Sequence, residues 1–165
     1  MTTLPERDPK LEAKFPKLKS GGYSIKSPAE AGYNCMAFAV GNPTRYWQWM
    51  EGRTKGYYWP PGVEGDDTVE AWAKVFQIHG YNKCENGEYE RNTDKVAIYE
   101  DDDHTPTHVA KLDAEAGKWL SKLGRKGYDI QHDSYTLLEG DEEDEFGRVA
   151  TFMKRQRRSN EQTKP

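Results

Sequence analysis

The 165-residue chain is predicted to form a single α+β domain, with helices packed on an antiparallel sheet. Two patterns and one bulk property predict this. Val69, Trp72, Val75, Phe76 and His79 recur at helical spacing between the capping segment Asp66-Asp67-Thr68 and Gly80. Short apolar runs separated by turn residues then fill the second half, as strands of a meander do. The length suffices for a core, since a domain near 150 residues buries roughly 70% of its unfolded surface. Only 35% of the residues are hydrophobic, so ten Tyr, five Trp and five Phe must supply much of that core.

The first element is predicted to be an irregular leader over residues 1–20, where Pro5, Pro9 and Pro16 interrupt Lys and Glu. A domain over 21–155 follows, and 156–165 read as a basic disordered tail. Between Gly32 and Gly41 the apolar content rises through Tyr33, Cys35, Met36, Ala37, Phe38, Ala39 and Val40. With Asn34 as N-cap this reads as a short buried helix starting at or beside Cys35, though a buried strand has the same pattern. Tyr46–Trp59 is aromatic and turn-rich, and precedes the helix described above. Lys95–Tyr99 is a predicted strand, Asp101–Pro106 its turn, and Thr107–Leu112 and Lys118–Leu123 two more strands. Ser134–Glu139 reads as one helical turn and Gly147–Met153 as a late strand. From Lys154 onward the chain is basic and reads as frayed.

A formal net charge of −4 argues against a general nucleic-acid binder. Two cysteines are too few for a disulfide scaffold, and no CxxC pair suggests a zinc knuckle. The charged N-terminus has no apolar h-region, and no stretch is long and apolar enough to span a bilayer. The expected compartment is the cytoplasm, with signal-independent export compatible with the same features. Asp101-Asp-Asp-His104 and the acidic run 139–145 are read as solvated loops, with no metal or organic cofactor expected. The Lys154–Arg158 cluster is read as a solubilising tail.

Cysteine acts as a nucleophile through its thiolate, which a helix N-terminus and a nearby imidazole both stabilise. Cys35, at the start of its predicted helix, is placed for the first effect. His108, opening a strand, is a candidate for the second. A polar group on the next strand would hold the imidazole in its working tautomer. Taken alone, Cys35 is as readily a small buried hydrophobe, and Cys84 reads as structural.

Tyr33-Asn-Cys-Met-Ala-Phe38 followed by Thr107-His-Val-Ala110 resembles the papain-fold cysteine hydrolases, in particular the NlpC-like peptidases. The chain is also similar to a bacterial domain family with YNC-x-A, YWPPG, HVA, W-x-SKLG and D-I-x-H segments. Here these are Tyr33–Ala37, Tyr58–Gly62, His108–Ala110, Trp119–Gly124 and Asp129–His132. The resemblance implies a papain-like fold with Cys35 as nucleophile and His108 as general base and acid. Ser121 stands where NlpC-like enzymes carry His, Asn or Gln, and would orient the imidazole. His132, Asp129 and Lys122 are the alternatives for that role. Tyr33, Asn34 and Trp59 would line the cleft, and the Cys35 N–H would serve an oxyanion hole. The implied reaction is hydrolysis of a peptide or other amide through a thioester. The acidic residue and Ser-Gly that many NlpC-like enzymes place around their Cys are missing. The resemblance therefore also admits a catalytically inactive papain-fold binding module, an immunity or toxin-associated protein that meets a partner protein.

Overall fold

The computed structural model of the chain describes residues 7–27, 68–123, 128–141 and 145–157, together with Cys35, Ala39, 46–47 and 57–58. The architecture is α+β. Helices α1 (Pro9–Lys14) and α2 (Lys17–Ser20) precede strand β1 (Tyr23–Ser27). A two-residue parallel pair, β2 (Tyr46–Trp47) and β3 (Tyr57–Tyr58), stands apart from the main sheet. Then come α3 (Val69–Ile78), β4 (Asn82–Cys84), β5 (Thr93–Glu100), β6 (Pro106–Leu112), β7 (Trp119–Lys122) and β8 (Asp129–His132). A 3-10 turn (Tyr135–Leu138) and β9 (Arg148–Gln156) complete the described elements. The main sheet has seven strands in the order β1-β8-β7-β6-β5-β9-β4, with every neighbouring pair antiparallel.

Helix α3 forms where its pattern predicts. The Thr68 side chain accepts from the Ala71 N–H, and Gly80, at φ +91°, takes the left-handed position past the C-cap His79. The β5–β6 turn is held by the Asp101 carboxylate, which accepts from the N–H groups of Asp103 and Thr105.

The leader and the tail are more ordered than the sequence suggests. Pro9 begins α1 at a position where its missing N–H costs nothing, behind an Asp8 side chain that accepts from Lys10 N–H. Pro16 likewise caps α2 instead of interrupting it. Leu11, Phe15 and Leu18 are thereby presented to the core. At the other end β9 continues to Gln156 along β5, and Arg155 pairs with Asp94 at 3.1 Å. The basic residues read as a frayed tail are partly strand.

Because side chains alternate along a strand, the sheet has two differently covered faces. Val96, Ile98, Val109 and Met153 pack with Ala71, Ala73, Val75 and Phe76 of α3, and with Ala39. Ala97, Tyr99, Ala110, Leu112, Trp119 and Ile130 face the other way, onto Leu11, Phe15, Leu18 and Leu138.

Gly140 and Gly147 exchange backbone hydrogen bonds of 2.8 and 2.9 Å, closing the loop that delivers Phe146. Gly147 sits at φ +80°, and a Cβ there would be driven into the Glu100 carbonyl. Gly147→Ala should therefore lower stability by about 2–3 kcal/mol, combining left-handed strain with a backbone collision. A urea-unfolding midpoint unchanged from wild type would contradict this account of the turn.

Candidate functional site

The polar residues of the second half converge on one buried place. His108 on β6, Ser121 on β7 and His132 on β8 have the same strand parity as Ala110, Trp119 and Ile130, and so share the face covered by α1 and α2. Registered pairing between β6 and β7 covers only Lys111↔Leu120 and Leu112↔Trp119. Ser121 stands one step past that short ladder, diagonal to His108. On its other side β7 pairs with β8 through Trp119↔His132 and Ser121↔Ile130, setting His132 diagonal to the same serine.

The three side chains form a hydrogen-bonded row. His108 Nε2 lies 3.0 Å from Ser121 Oγ, and Ser121 Oγ lies 2.8 Å from His132 Nε2. His132 Nδ1 is 2.9 Å from the Ser134 carbonyl oxygen. A carbonyl only accepts, so His132 carries its proton on Nδ1 and, as a neutral ring, accepts at Nε2. Ser121 then donates to His132 and accepts from His108 Nε2–H. The row therefore has one direction, and it ends with His108 Nδ1 as an acceptor.

Burial explains the neutral rings. His108 is 1% exposed, while Ser121 and His132 are fully buried. Desolvation holds His108 well below the ordinary imidazole range, and the neighbouring His132 pushes it the same way. His132 is depressed to about 4 by burial, against a smaller opposing effect of the Ser134 carbonyl and Asp133. Phe146 closes the row from outside, stacked on His108 at 4.2 Å between centroids and 6° between planes. Tyr99 flanks His108 at 5.3 Å, and Phe15 covers Phe146 at 5.0 Å. Thr107 Oγ1 donates to the Phe146 carbonyl at 2.6 Å and steadies that cover.

Among the predicted site residues, His108, Ser121 and His132 come together. Asp129 does not join them. It is buried on β8 one residue from Ile130, so the pleat turns it to the α3 face, where its register partner Lys122 is also buried. Cys35 is helical and buried. Ala39, helical as well, packs on the α3 face with Val109, whereas the His108 side chain lies on the opposite face. Tyr33, Asn34 and Trp59 lie outside the described residues. Cys84 lies on β4 opposite Phe152, and its thiol is 3.5 Å from the Asn86 carbonyl. Among the described residues no three His, Cys, Asp or Glu side chains cluster as a metal site would require, and no helix is long and apolar enough to cross a membrane.

Sequence reasoning missed Phe146, Phe15 and the Ser134 carbonyl. Phe146 follows an acidic run and carries no periodic signal. The alternation Asp129-Ile-Gln-His132 was a readable signal for β8, since it places Ile130 and His132 on one face.

A family model described as "Domain of unknown function (DUF7689)" matches residues 24–154, from the second residue of β1 to all but the end of β9. No curated protein and no solved structure matches the chain.

Two predictions follow from the buried row. In the unfolded chain a histidine titrates near 6.5, and in the fold His132 titrates near 4. The unfolded state therefore binds more protons between these values, and stability is complete above pH 6.5 and falls as pH drops toward 4. His132 alone should cost roughly 3 kcal/mol across that window, with His108 adding loss in the same direction. Urea unfolding at pH 7 and pH 4.5 checks the sign, and a flat profile would contradict it. Ser121→Ala should cost about 2–3 kcal/mol, because it strands a donor and an acceptor in the core. It should also shift the imidazole nitrogen resonances of both histidines.

Proposed function

The chain belongs to the DUF7689 family, and we propose that the domain is a non-catalytic binding module. The observation that carries this reading is the state of His108. Its Nε2 is engaged by Ser121, its ring is stacked under Phe146, it is 1% exposed, and its face is turned away from Ala39. A general base must reach the proton it removes, within hydrogen-bond distance or through one water. A sealed imidazole on the α1–α2 side is suited to holding strands together. Its depressed proton affinity fits the same role, since a neutral ring sits in the core without a counter-ion.

The reading keeps the order on which the papain-like, NlpC-like resemblance rests. A helical cysteine comes first, then a meander carrying His108, a polar residue on the next strand, and a second histidine after it. What it drops is the chemistry. The Ser121 hydroxyl, standing where those enzymes carry His, Asn or Gln, serves here to join two histidines.

One observation favours the second reading, a thiol hydrolase using Cys35 and His108. The direction of the hydrogen-bonded row leaves His108 Nδ1 as an acceptor, and a lone pair on an oriented ring is what a general base requires. Ser121 and His132 would then be the orienting groups.

The two readings differ in thiol reactivity. In a Cys84→Ser background, the binding-module reading expects iodoacetamide to label Cys35 more slowly in the folded protein than in urea at the same pH. An activated thiolate would instead be labelled about tenfold faster than the unfolded chain near pH 6, where an ordinary thiol is protonated. That outcome, abolished by Cys35→Ala and slowed by Ser121→Ala, would replace the module with the hydrolase.

A further inference from the structure

Where β4, β5 and β9 end together below the C-terminus of α3, the surface holds a cleft of about 490 Å3. Asn82, Arg91, Asn92, Lys154, Arg155 and Gln156 line it, and every charged group among the described lining residues is cationic. We propose that this cleft binds a phosphate group carried by a small ligand. The inference rests on the binding-module reading and deepens it, by naming the site and the chemistry it takes.

Arg155 is the fixed part. Its Nε donates to Asp94 at 3.1 Å, its Nη1 donates to the His79 carbonyl at 2.7 Å, and its guanidinium lies 4.6 Å over the Tyr81 ring. A guanidinium has five N–H donors, and these two bonds leave Nη2 unused. Held this way it loses little further freedom on binding an oxyanion, which lowers the entropic cost of association. Arg91 is the open part. It is exposed and forms no ion pair or side-chain hydrogen bond with a described residue. Its backbone is nonetheless set. Thr93 Oγ1 donates to the Arg91 carbonyl at 3.1 Å, Asn92 takes φ +55°, and Arg157 N–H donates to the Asn92 carbonyl at 2.7 Å.

Lys154 is committed elsewhere, since Glu90 accepts from it at 3.2 and 3.3 Å and also pairs with the buried Lys95 at 2.6 Å. It contributes field more than a direct bond. The amides of Asn82, Asn92 and Gln156 add neutral donors around the two guanidinium groups. A phosphate monoester presents three acceptor oxygens and about −1.5 to −2 charge, more acceptors than a carboxylate offers to this set. The cleft size is that of a small-ligand site, which typically measures roughly 300–1,000 Å3.

The test is an amide-shift titration of the full chain with O-phospho-L-serine, inorganic phosphate and L-serine. Saturable shifts at Asn82, Asn92, Thr93 and Gln156 with the two phosphates, and none with serine, are expected. Arg91→Gln should keep the wild-type unfolding midpoint and weaken phosphoserine by at least about tenfold, the loss of one charge-assisted bond. Absence of saturable shifts, equal binding of serine, or unchanged affinity in Arg91→Gln would overturn the site. If phosphate fails to bind while Cys35 alkylation stays slow, the cleft falls and the module reading stands. Fast alkylation removes the module reading, whatever the titration shows.

Discussion

Between β6 and β7 the backbone ladder is two pairs long, and past it the strands are joined through side chains. His108 donates across the gap to Ser121, and Ser121 passes the bond to His132 on the far side. Each bond of this kind is worth only about 1 kcal/mol net, but leaving any member unpaired in the core costs more. The row therefore acts through its completeness. It tolerates one protonation state and one rotamer for each ring, and that uniqueness fixes how β6, β7 and β8 lie together. Tyr99 and Phe146 then pack against a histidine already set in place.

The second organising fact is that strand parity splits the polar residues of β6, β7 and β8 between the two faces of the sheet. On the face of α1 and α2 lie the neutral, hydrogen-bonded imidazoles under aromatic rings. On the face of α3 lie Val96, Ile98 and Val109, and strand parity turns the buried Lys122 and Asp129, at the ends of β7 and β8, to the same face. A histidine, a serine, a lysine and a carboxylate that look like neighbours along a meander are assigned to faces by strand parity alone. Linear order carries no such information unless the strands are known residue by residue.

This is also why some features were legible in the sequence and others were not. Helix α3 was readable because Thr68 caps it, Gly80 ends it and its apolar residues keep a 3.6-residue period. Strands β5 and β6 are readable because the apolar run Val96–Tyr99 and the mostly apolar Val109–Leu112 lie on either side of the turn-forming Asp101–Pro106. In the leader proline reads as a breaker, whereas Pro9 opens α1 and Pro16 stands at the N-cap of α2. The cations of the tail read as solvated, whereas Lys154 finds Glu90 and Arg155 finds Asp94, its partner on the neighbouring strand. His108 and Ser121 were picked out for a shared role and do meet. Their depth was not readable, because it depends on Phe146 and Phe15, which come from opposite ends of the chain.

That last contact bears on how the molecule is made. Phe15 touches Phe146, so the cover over the imidazoles joins the first described helix to a loop just before the last strand. Contacts this distant in sequence close slowly and form only after shorter-range structure is in place. A chain emerging from the ribosome in N-to-C order would hold Phe15 without Phe146 until β9 is almost free. Over that interval the His108 ring would lack its stacked cover. Drying of the row would then be a late event, and the stretch most exposed to misassembly would be the one that matures into its most tightly sealed part.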